Sequence, residues 1–158
     1  MELRDVHFTV EQLNTAYVRC IDNDRLEEWP GFFAEECLYQ IISSDNFERG
    51  LPLGLVYADS KAMLEDRVTA LRQANIYEPQ TYRHLVSSLV ISDASDLERV
   101  RAEAHYLVVR TMQAGESGVF SVGRYADVID LTGEKPLFRE RRVIFDNERV
   151  DTLLAIPI

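Results

Sequence analysis

The chain has 158 residues, of which 46% are hydrophobic, a size and composition typical of a single domain over residues 1–158 with one core. Seventeen basic against 27 acidic residues give a formal charge of −10, which repels nucleic-acid phosphates and anionic lipid, so neither nucleic acid nor a membrane is expected as a partner. No apolar segment of a signal peptide and no run of roughly 18 apolar residues occurs, which predicts a cytoplasmic protein.

Two helices are predicted at the start of the chain. Thr9 and Gln12 have the spacing of a capping box, and the apolar residues that follow recur at helical spacing, so the first helix is expected to begin near Thr9. Asp24 is expected to cap a short second helix that reaches Phe33.

A strand, a loop and a third helix are predicted next. Residues 37–43 are dense in strand-forming side chains, and Asp45 is expected to open a loop that runs through Gly54. Asp59 or Ser60 can cap the helix after this loop, which the sequence predicts to be the longest in the chain.

From Tyr82 onward the hydrophobic period changes from helical to two, which is typical of strands. Four long strands are expected, over residues 82–92, 99–113, 119–130 and 137–145. Because short turns join neighbouring strands, they should form an antiparallel meander. Helices followed by such a sheet place the chain in the α+β class, with the helices covering one face of a strongly curved sheet.

The metal-binding residue types are few and widely spaced. Cys20 and Cys37 sit in apolar surroundings and are expected to be reduced, buried thiols. His7, His84 and His105 are far apart and match no zinc or iron motif. The sequence therefore predicts no metal or cofactor site in this chain.

A stand-alone enzyme with a cone-shaped fold remains an alternative. Such an enzyme would need a general base, such as His84 or Asp22, and an oxyanion donor, such as Tyr17 or Tyr125, converging inside the cone. A single strand histidine is more often structural, and His105 lies on the polar side of its strand. A small-molecule binding module is a further alternative.

Charge is concentrated in one strand, at Arg139-Glu140-Arg141-Arg142. Alternation sends Arg139 and Arg141 to one face and Glu140 and Arg142 to the other. These residues form either a solvated face with ion pairs of about 0.2–1 kcal/mol each or a contact with a partner subunit, where arginine is enriched. The apolar tail over residues 153–158 is expected to dock into the core or onto a neighbour.

Five motifs follow one another along the chain. They are Glu28-Trp29 with Phe33, Cys37 and Tyr39; Ala62-Met63-Leu64 with Asp66-Arg67; Tyr82-Arg83-His84; Val122-Gly123-Arg124-Tyr125 with Asp127; and Phe138-Arg139-Glu140-Arg141. In this order they resemble the small (β) subunits of Rieske-type aromatic-ring-hydroxylating dioxygenases along nearly the whole chain. One departure is Ser87-Ser88, where many members carry Ser or Thr followed by Asn.

Within that family, Asn75-Ile76-Tyr77-Glu78 together with Tyr82-Arg83-His84 is similar to small subunits of terephthalate 1,2-dioxygenase, with salicylate hydroxylases as near neighbours. Both act on aromatic carboxylates. The resemblance implies a cone-like (NTF2-like) fold and a supporting role in an α₃β₃ hexamer, as a subunit of an oxidoreductase.

The resemblance also implies partners. The large (α) subunit would hold a Rieske [2Fe–2S] cluster and a mononuclear Fe(II), electrons would come from NAD(P)H through a reductase, and other copies of this chain would complete a β₃ ring. The subunit interface is expected on the strand surface that carries Arg83, His84, Arg124, Arg139 and Arg141.

Overall fold

The computed structural model describes residues 1–74, 79–146 and 156–158. Its elements in chain order are helix α1 (Leu3–Asp22), a 3₁₀ helix (Trp29–Phe32), strand β1 (Phe33–Ser43), helix α2 (Ser44–Glu48), strand β2 (Val56–Ala58), helix α3 (Lys61–Ala74), and strands β3 (Gln80–Asp93), β4 (Val100–Met112), β5 (Ser117–Asp130) and β6 (Leu137–Phe145). The α+β class predicted from the sequence is confirmed. None of the described helices is long and apolar enough to cross a membrane.

The strands form one six-stranded, unclosed sheet in the order β2-β1-β6-β5-β4-β3. Consecutive strands from β3 to β6 pair antiparallel, which confirms the predicted meander. The sequence did not predict that β1 pairs parallel with β6, nor that the short β2 pairs antiparallel with β1. As a result β2 and β3 are the two edges of the sheet.

Helix α1 begins earlier than its capping-box pattern predicted. It starts at Leu3, its N-cap Glu2 makes no side-chain cap bond, and the Thr9 hydroxyl donates to the Asp5 carbonyl inside the helix. The prediction was wrong because the apolar face already starts at Val6, whose burial extends the helix by tertiary packing. The buried apolar residues on this face are Val6, Val10, Leu13, Tyr17, Val18, Cys20 and Ile21.

The predicted second helix is only one short 3₁₀ helix. Asp24 has a φ of 57°, a left-handed conformation in which it cannot start an α-helix. Pro30 lies in the first turn of the 3₁₀ helix, and Phe33 opens β1 rather than closing a helix. This prediction was therefore wrong in both the type and the length of the element.

The segment between β1 and α3 contains more regular structure than predicted. The expected loop after Asp45 includes α2, where the Asn46 amide donates to the Ser43 hydroxyl at 3.2 Å. Ser60 caps α3, as predicted, by accepting from the Met63 amide at 3.3 Å. Helix α3 has 14 residues and α1 has 20, so α3 is not the longest helix.

The core lies between α1 and the concave face of the sheet. The described end of the chain is docked there, since Ile156 and Ile158 are buried and the Tyr17 and Tyr39 hydroxyls donate to the backbone oxygen of Ile158 at 3.2 and 3.0 Å. This confirms the docked tail for the described residues, and residues 153–155 lie outside them. Around these hydroxyls, aromatic rings pack mostly edge to face, namely Tyr17, Trp29, Phe32, Phe33, Tyr39, Tyr125 and Phe138.

Candidate functional site

Arg141, one of the predicted interface residues, lies inside the cone. Its side chain is 0% exposed. Nε donates to Asp127 Oδ1 at 2.9 Å, and Nη2 donates to Asp127 Oδ2 at 2.7 Å and to Asn14 Oδ1 at 2.5 Å. The guanidinium carbon is 4.0 Å from the ring centroids of both Tyr125 and Phe138. Arg141 therefore joins α1, β5 and β6 and contributes no surface to this chain.

The Arg141–Asp127 pair is a fully enclosed ion pair. Burial raises the pKa of the Asp127 carboxyl, and the adjacent guanidinium acts in the opposite direction. Desolvation acts to lower the pKa of Arg141, but the charge and hydrogen bonds of Asp127 raise it overall. A buried charge keeps its ionised form only when it is paired and hydrogen-bonded. Removing one partner therefore leaves the other charge buried without a counter-charge.

A β-bulge explains why alternation failed at this strand. Between β5 and β6 the register shifts at residues 128–129, so that Arg139 is an extra residue without an opposite partner on β5. The extra residue separates Arg139 from the face that carries Arg141. Arg139 stays partly exposed, with Nε donating to the Glu98 carbonyl at 3.0 Å and Nη2 to Asp130 Oδ2 at 2.6 Å. The prediction that Arg139 and Arg141 share a face is therefore wrong.

The structure does bring His84 and Asp22 together. The ring Nδ1 of His84 lies 2.6 Å from Asp22 Oδ1, and the His84 amide donates to Asp22 Oδ2 at 2.9 Å. The His84 side chain is fully buried, and its Nε2 makes no hydrogen bond. The dyad ties the end of α1 to β3, and its free nitrogen is closed to a substrate in this conformation.

The other residues of the enzyme alternative do not join this dyad. Tyr17 and Tyr125 pack against the Arg141 guanidinium instead. An open, largely apolar groove of about 530 Å³ runs along α1, bordered by Phe8 and Lys135 among others. It lies outside the cone, and the Lys135 amine already donates to the Gly31 carbonyl at 3.2 Å. Neither arrangement builds a constellation of acid, base and oxyanion donor.

The convex outer face of the sheet carries an uncovered aliphatic row. Leu85 lies opposite Leu107, and Leu107 lies opposite Val122, across three adjacent strands. Leu85 is 55% exposed and Val122 36%. Arg83 is exposed beside this row, and Arg124 follows Val122 by two residues. We name the surface formed by Arg83, Leu85, Leu107, Val122 and Arg124 the basic face.

Sequence reasoning found the arginines of this face but missed the aliphatic row. Each strand alone shows only one or two outward apolar residues, which is ordinary for a protein surface. The strand registers align them, and registers follow from turns and bulges that a period of two does not reveal. Two neighbouring side chains contact Arg124. Its Nε lies 3.6 Å from Glu103 Oε2, and its guanidinium lies 5.6 Å from the centre of the Phe47 ring.

The metal-ligating residue types are dispersed. Cys20 and Cys37 are free and buried, as predicted, and burial raises the pKa of each thiol to about 11. His7 contacts the Leu89 carbonyl, and His105 is exposed on β4. The described part of the chain contains no group of three or more His, Cys, Asp or Glu side chains that could hold a metal ion. These residues do not fit a Rieske cluster or an iron triad.

Solved structures define the class of fold. A protein assigned as a scytalone dehydratase from Novosphingobium aromaticivorans shares the fold with a TM-score of 0.64 and 15% identity, covering 85% of this chain and 79% of that one. At that identity the likeness concerns the fold alone. The chain thus has the NTF2-like cone fold that the sequence predicted.

Closer relatives identify the family. The family model for the ring hydroxylating beta subunit matches residues 16–152. The small subunit of anthranilate 1,2-dioxygenase from Burkholderia cepacia is 45% identical, over 96% of this chain and 93% of its own length. Beta subunit 2 of the terminal oxygenase component of terephthalate 1,2-dioxygenase from Comamonas sp is 40% identical, over 94% of this chain and 96% of its own.

A solved structure agrees with these relatives. It is assigned as the β subunit of an aromatic-ring-hydroxylating dioxygenase from Novosphingobium aromaticivorans, with a TM-score of 0.91 and 42% identity over 99% of this chain and 100% of that one. The chain belongs to the family of ring-hydroxylating dioxygenase β subunits, which are subunits of oxidoreductases. The family predicted from the sequence motifs is confirmed.

Proposed function

We propose that this chain is a non-catalytic subunit that holds the large subunits of an aromatic-ring dioxygenase in an α₃β₃ hexamer. The observation that carries the proposal is the basic face, where an aliphatic row across β3, β4 and β5 is left uncovered by the described residues. On the other side of the sheet, helix α1 already covers the core. The chain therefore does not need to bury this row in order to fold. Apolar surface of this kind marks contacts with other proteins.

The chemistry of the reaction belongs to the large subunit in this proposal. A Rieske [2Fe–2S] cluster and a mononuclear Fe(II) would sit in that partner, supplied with electrons from NAD(P)H by a reductase. Within this chain the reactive groups are enclosed and engaged with one another, as the His84–Asp22 and Arg141–Asp127 pairs illustrate. They stabilise a rigid cone that supports its neighbours in the cytoplasm.

We further propose an aromatic carboxylate as the substrate of the assembly. Two relatives that are at least 40% identical over almost the whole chain carry the names of anthranilate and terephthalate dioxygenases, and both compounds are aromatic carboxylates. The ring would bind in the large subunit, so the substrate is best tested on the complete assembly with a panel of benzoates that differ in their ring substituents.

The arginines divide into two groups under this proposal. Arg83, Arg124 and Arg139 are surface residues that meet other subunits, whereas His84 and Arg141 hold the interior in place behind them. Arg139 lies at the opposite end of the outer face from Arg83, next to the exposed Arg99. We assign the Arg139 end to the large subunit, because arginine is enriched and effective at protein interfaces.

Co-purification tests the proposal. The tagged chain, expressed with the large subunit encoded in its native bacterium, should elute with that subunit in a 1:1 ratio together with iron. Arg139→Ala should release the large subunit on size exclusion, while Arg19→Ala, an exposed arginine on α1, should leave the complex intact. Elution of the wild-type chain without an iron protein would refute the subunit role, and an intact Arg139→Ala complex would refute the assigned surface.

A further inference from the structure

The interior of the cone contains two phenol hydroxyls that converge on one oxygen atom. Tyr17 on α1 and Tyr39 on β1 donate to the backbone oxygen of Ile158 at 3.2 and 3.0 Å. The Ile158 amide in turn donates to the Tyr39 hydroxyl at 3.2 Å. All three residues are buried. Two elements of the fold therefore direct donors at an enclosed acceptor, in the way that a binding site fixes a carbonyl oxygen.

Both phenols keep their protons at neutral pH. Burial raises the pKa of Tyr17, and it raises the pKa of Tyr39 well above its ordinary value. The charges of Arg141 near Tyr17 and of Arg67 near Tyr39 act in the opposite direction without reversing either shift. The two hydroxyls are therefore permanent donors, and the Tyr39 hydroxyl can also accept from an N–H group.

Aromatic rings form the apolar wall beside these hydroxyls. The ring centroids of Trp29 and Tyr39 are 5.1 Å apart, and Phe33 lies 5.7 Å from Trp29 and 5.8 Å from Tyr39. Ile156 and Ile158 belong to the same buried cluster. The rings are positioned by the 3₁₀ helix and β1, not by the segment 156–158. This segment therefore fills a space whose apolar wall and polar end are both supplied by other elements.

The charge balance of this space favours an uncharged ligand. The guanidinium carbon of Arg141 lies 4.3 Å from the Tyr17 ring centroid, but Asp127 already neutralises its charge through two hydrogen bonds. A carboxylate would add a second anion to the interior, which costs more than burying a neutral carbonyl that is hydrogen-bonded. An amide offers both an acceptor oxygen and an N–H donor, the two groups through which Ile158 contacts the tyrosines.

We propose that the cone interior is a binding site for a small, neutral aromatic carbonyl compound, such as an aromatic amide, and that the segment 156–158 occupies this site as an internal competitor. The ligand oxygen takes the place of the Ile158 oxygen between the Tyr17 and Tyr39 hydroxyls. The ligand ring takes the place of the isoleucine side chains. This site lies beyond the proposed function, because a supporting subunit does not need a ligand inside its cone.

Weakening the internal competitor tests the site in the full chain, with benzamide as the probe. The loosened variant, Ile156→Ala with Ile158→Ala, removes apolar contacts of the segment and keeps both tyrosines. Trp29 is the single tryptophan, so its fluorescence reports binding, with calorimetry for the stoichiometry. The loosened variant should bind one benzamide about tenfold more tightly than the wild type, because the segment competes less. Ile91→Ala, a partly buried isoleucine on β3, should keep the wild-type affinity.

A hydroxyl deletion separates a specific site from a simple cavity. Tyr39→Phe in the loosened variant keeps the ring and removes one of the two donors. It should weaken benzamide binding by about fivefold. Binding of toluene, which has no oxygen, should stay unchanged. Toluene that binds as tightly as benzamide, or an equal loss for both compounds in the Tyr39→Phe variant, would overturn the inference.

Circular dichroism establishes that each variant is folded. If the double variant does not fold, Ile158→Ala alone should give a smaller gain, about threefold over the wild type. A folded variant that binds benzamide no better than the wild type would overturn the binding site. The subunit role would still stand in that case, because co-purification with the large subunit is measured on the wild-type chain without benzamide.

Discussion

The two faces of the sheet differ in how far they bury an arginine side chain. On the concave face Arg141 is enclosed by Asp127, Asn14 and aromatic rings. On the convex face Arg83 is exposed beside an aliphatic row that no described residue covers. Both residues sit in strands, Arg83 between Tyr82 and His84 and Arg141 between Glu140 and Arg142. The difference comes from the direction of each side chain, which a bulge at Arg139 sets for β6.

The convex face is itself divided. Near β1 and β6, Ile42 and Ile144 lie in one cross-strand row and are buried, on the side of the sheet where α2 and the following loop pack. Near β3 and β5 the corresponding positions stay open. The chain therefore completes its own fold on one side and leaves an exposed area on the other, which we propose contacts other subunits. Substitutions in the enclosed part should change stability, and those in the open part should change assembly.

The largest expected effect is at the enclosed arginine. Arg141→Met leaves the Asp127 carboxylate buried without its partner and should destabilise the chain by about 3–5 kcal/mol. That is a large part of the roughly 5–15 kcal/mol that stabilises a typical domain. Urea unfolding followed by circular dichroism measures the change.

Arg83→Met is the matched control, because it makes the same substitution on the convex face. It should change the unfolding free energy by less than about 0.5 kcal/mol. Replacing both members of the buried pair, with Arg141→Met and Asp127→Leu, should recover part of the loss. Equal stability of the two single variants would remove the distinction between the faces.

A smaller effect is expected at Gly123, where the backbones of β5 and β6 approach closely. A β-carbon at this position would overlap the backbone oxygen of Ile144. Gly123→Ala should therefore push the strands apart and cost about 1–3 kcal/mol. Gly118 lies in the same strand with nothing within 4 Å of a β-carbon, so Gly118→Ala should be close to neutral. Thermal melts of the two variants compare them directly, and a loss at Gly118 as large as at Gly123 would contradict this explanation.

Local sequence patterns were sufficient to predict most of the antiparallel meander. The period of two located all four strands from β3 to β6, and in β4 the predicted inward residues Val100, Ala102, Ala104, Tyr106 and Val108 are all buried. The parallel pairing of β1 with β6 and the short β2 were missed. Those contacts join residues about 100 positions apart or depend on three residues alone, and neither leaves a local period.

The candidate site was harder to predict than the fold. The sequence grouped Arg139 and Arg141 on one face because strict alternation has no place for a bulge. It gave no sign that Arg141 is buried, since a buried arginine needs a carboxylate that arrives from another strand, here Asp127. By contrast, the sequence offered His84 and Asp22 as two candidate bases, and the structure pairs them with each other and encloses the imidazole.

A modest gain is expected at Ser88, on the edge strand that borders the basic face. Its φ of 56° is left-handed, and the register of β3 with β4 shifts between Ser87 and Val90. Asn adopts this conformation more readily than Ser. Ser88→Asn should raise the unfolding free energy by about 0.5 kcal/mol. Ser87→Asn, at an ordinary strand position, should not, and a gain at both would point to another cause.

The smallest effect at neutral pH is expected from the enclosed thiols, because they change the stability only at alkaline pH. Burial raises the pKa of Cys20 and Cys37 to about 11, above the ordinary value of about 8.5. A raised folded-state pKa contributes stability below the ordinary value and loses it as the pH rises from about 8.5 to about 11. At pH 8 the folded chain should react with a thiol reagent much more slowly than the urea-unfolded chain, because the thiolate is the reactive species. Folded-state reactivity should rise only above about pH 10, whereas rapid labelling of either cysteine at pH 8 would show that the concave side opens in solution.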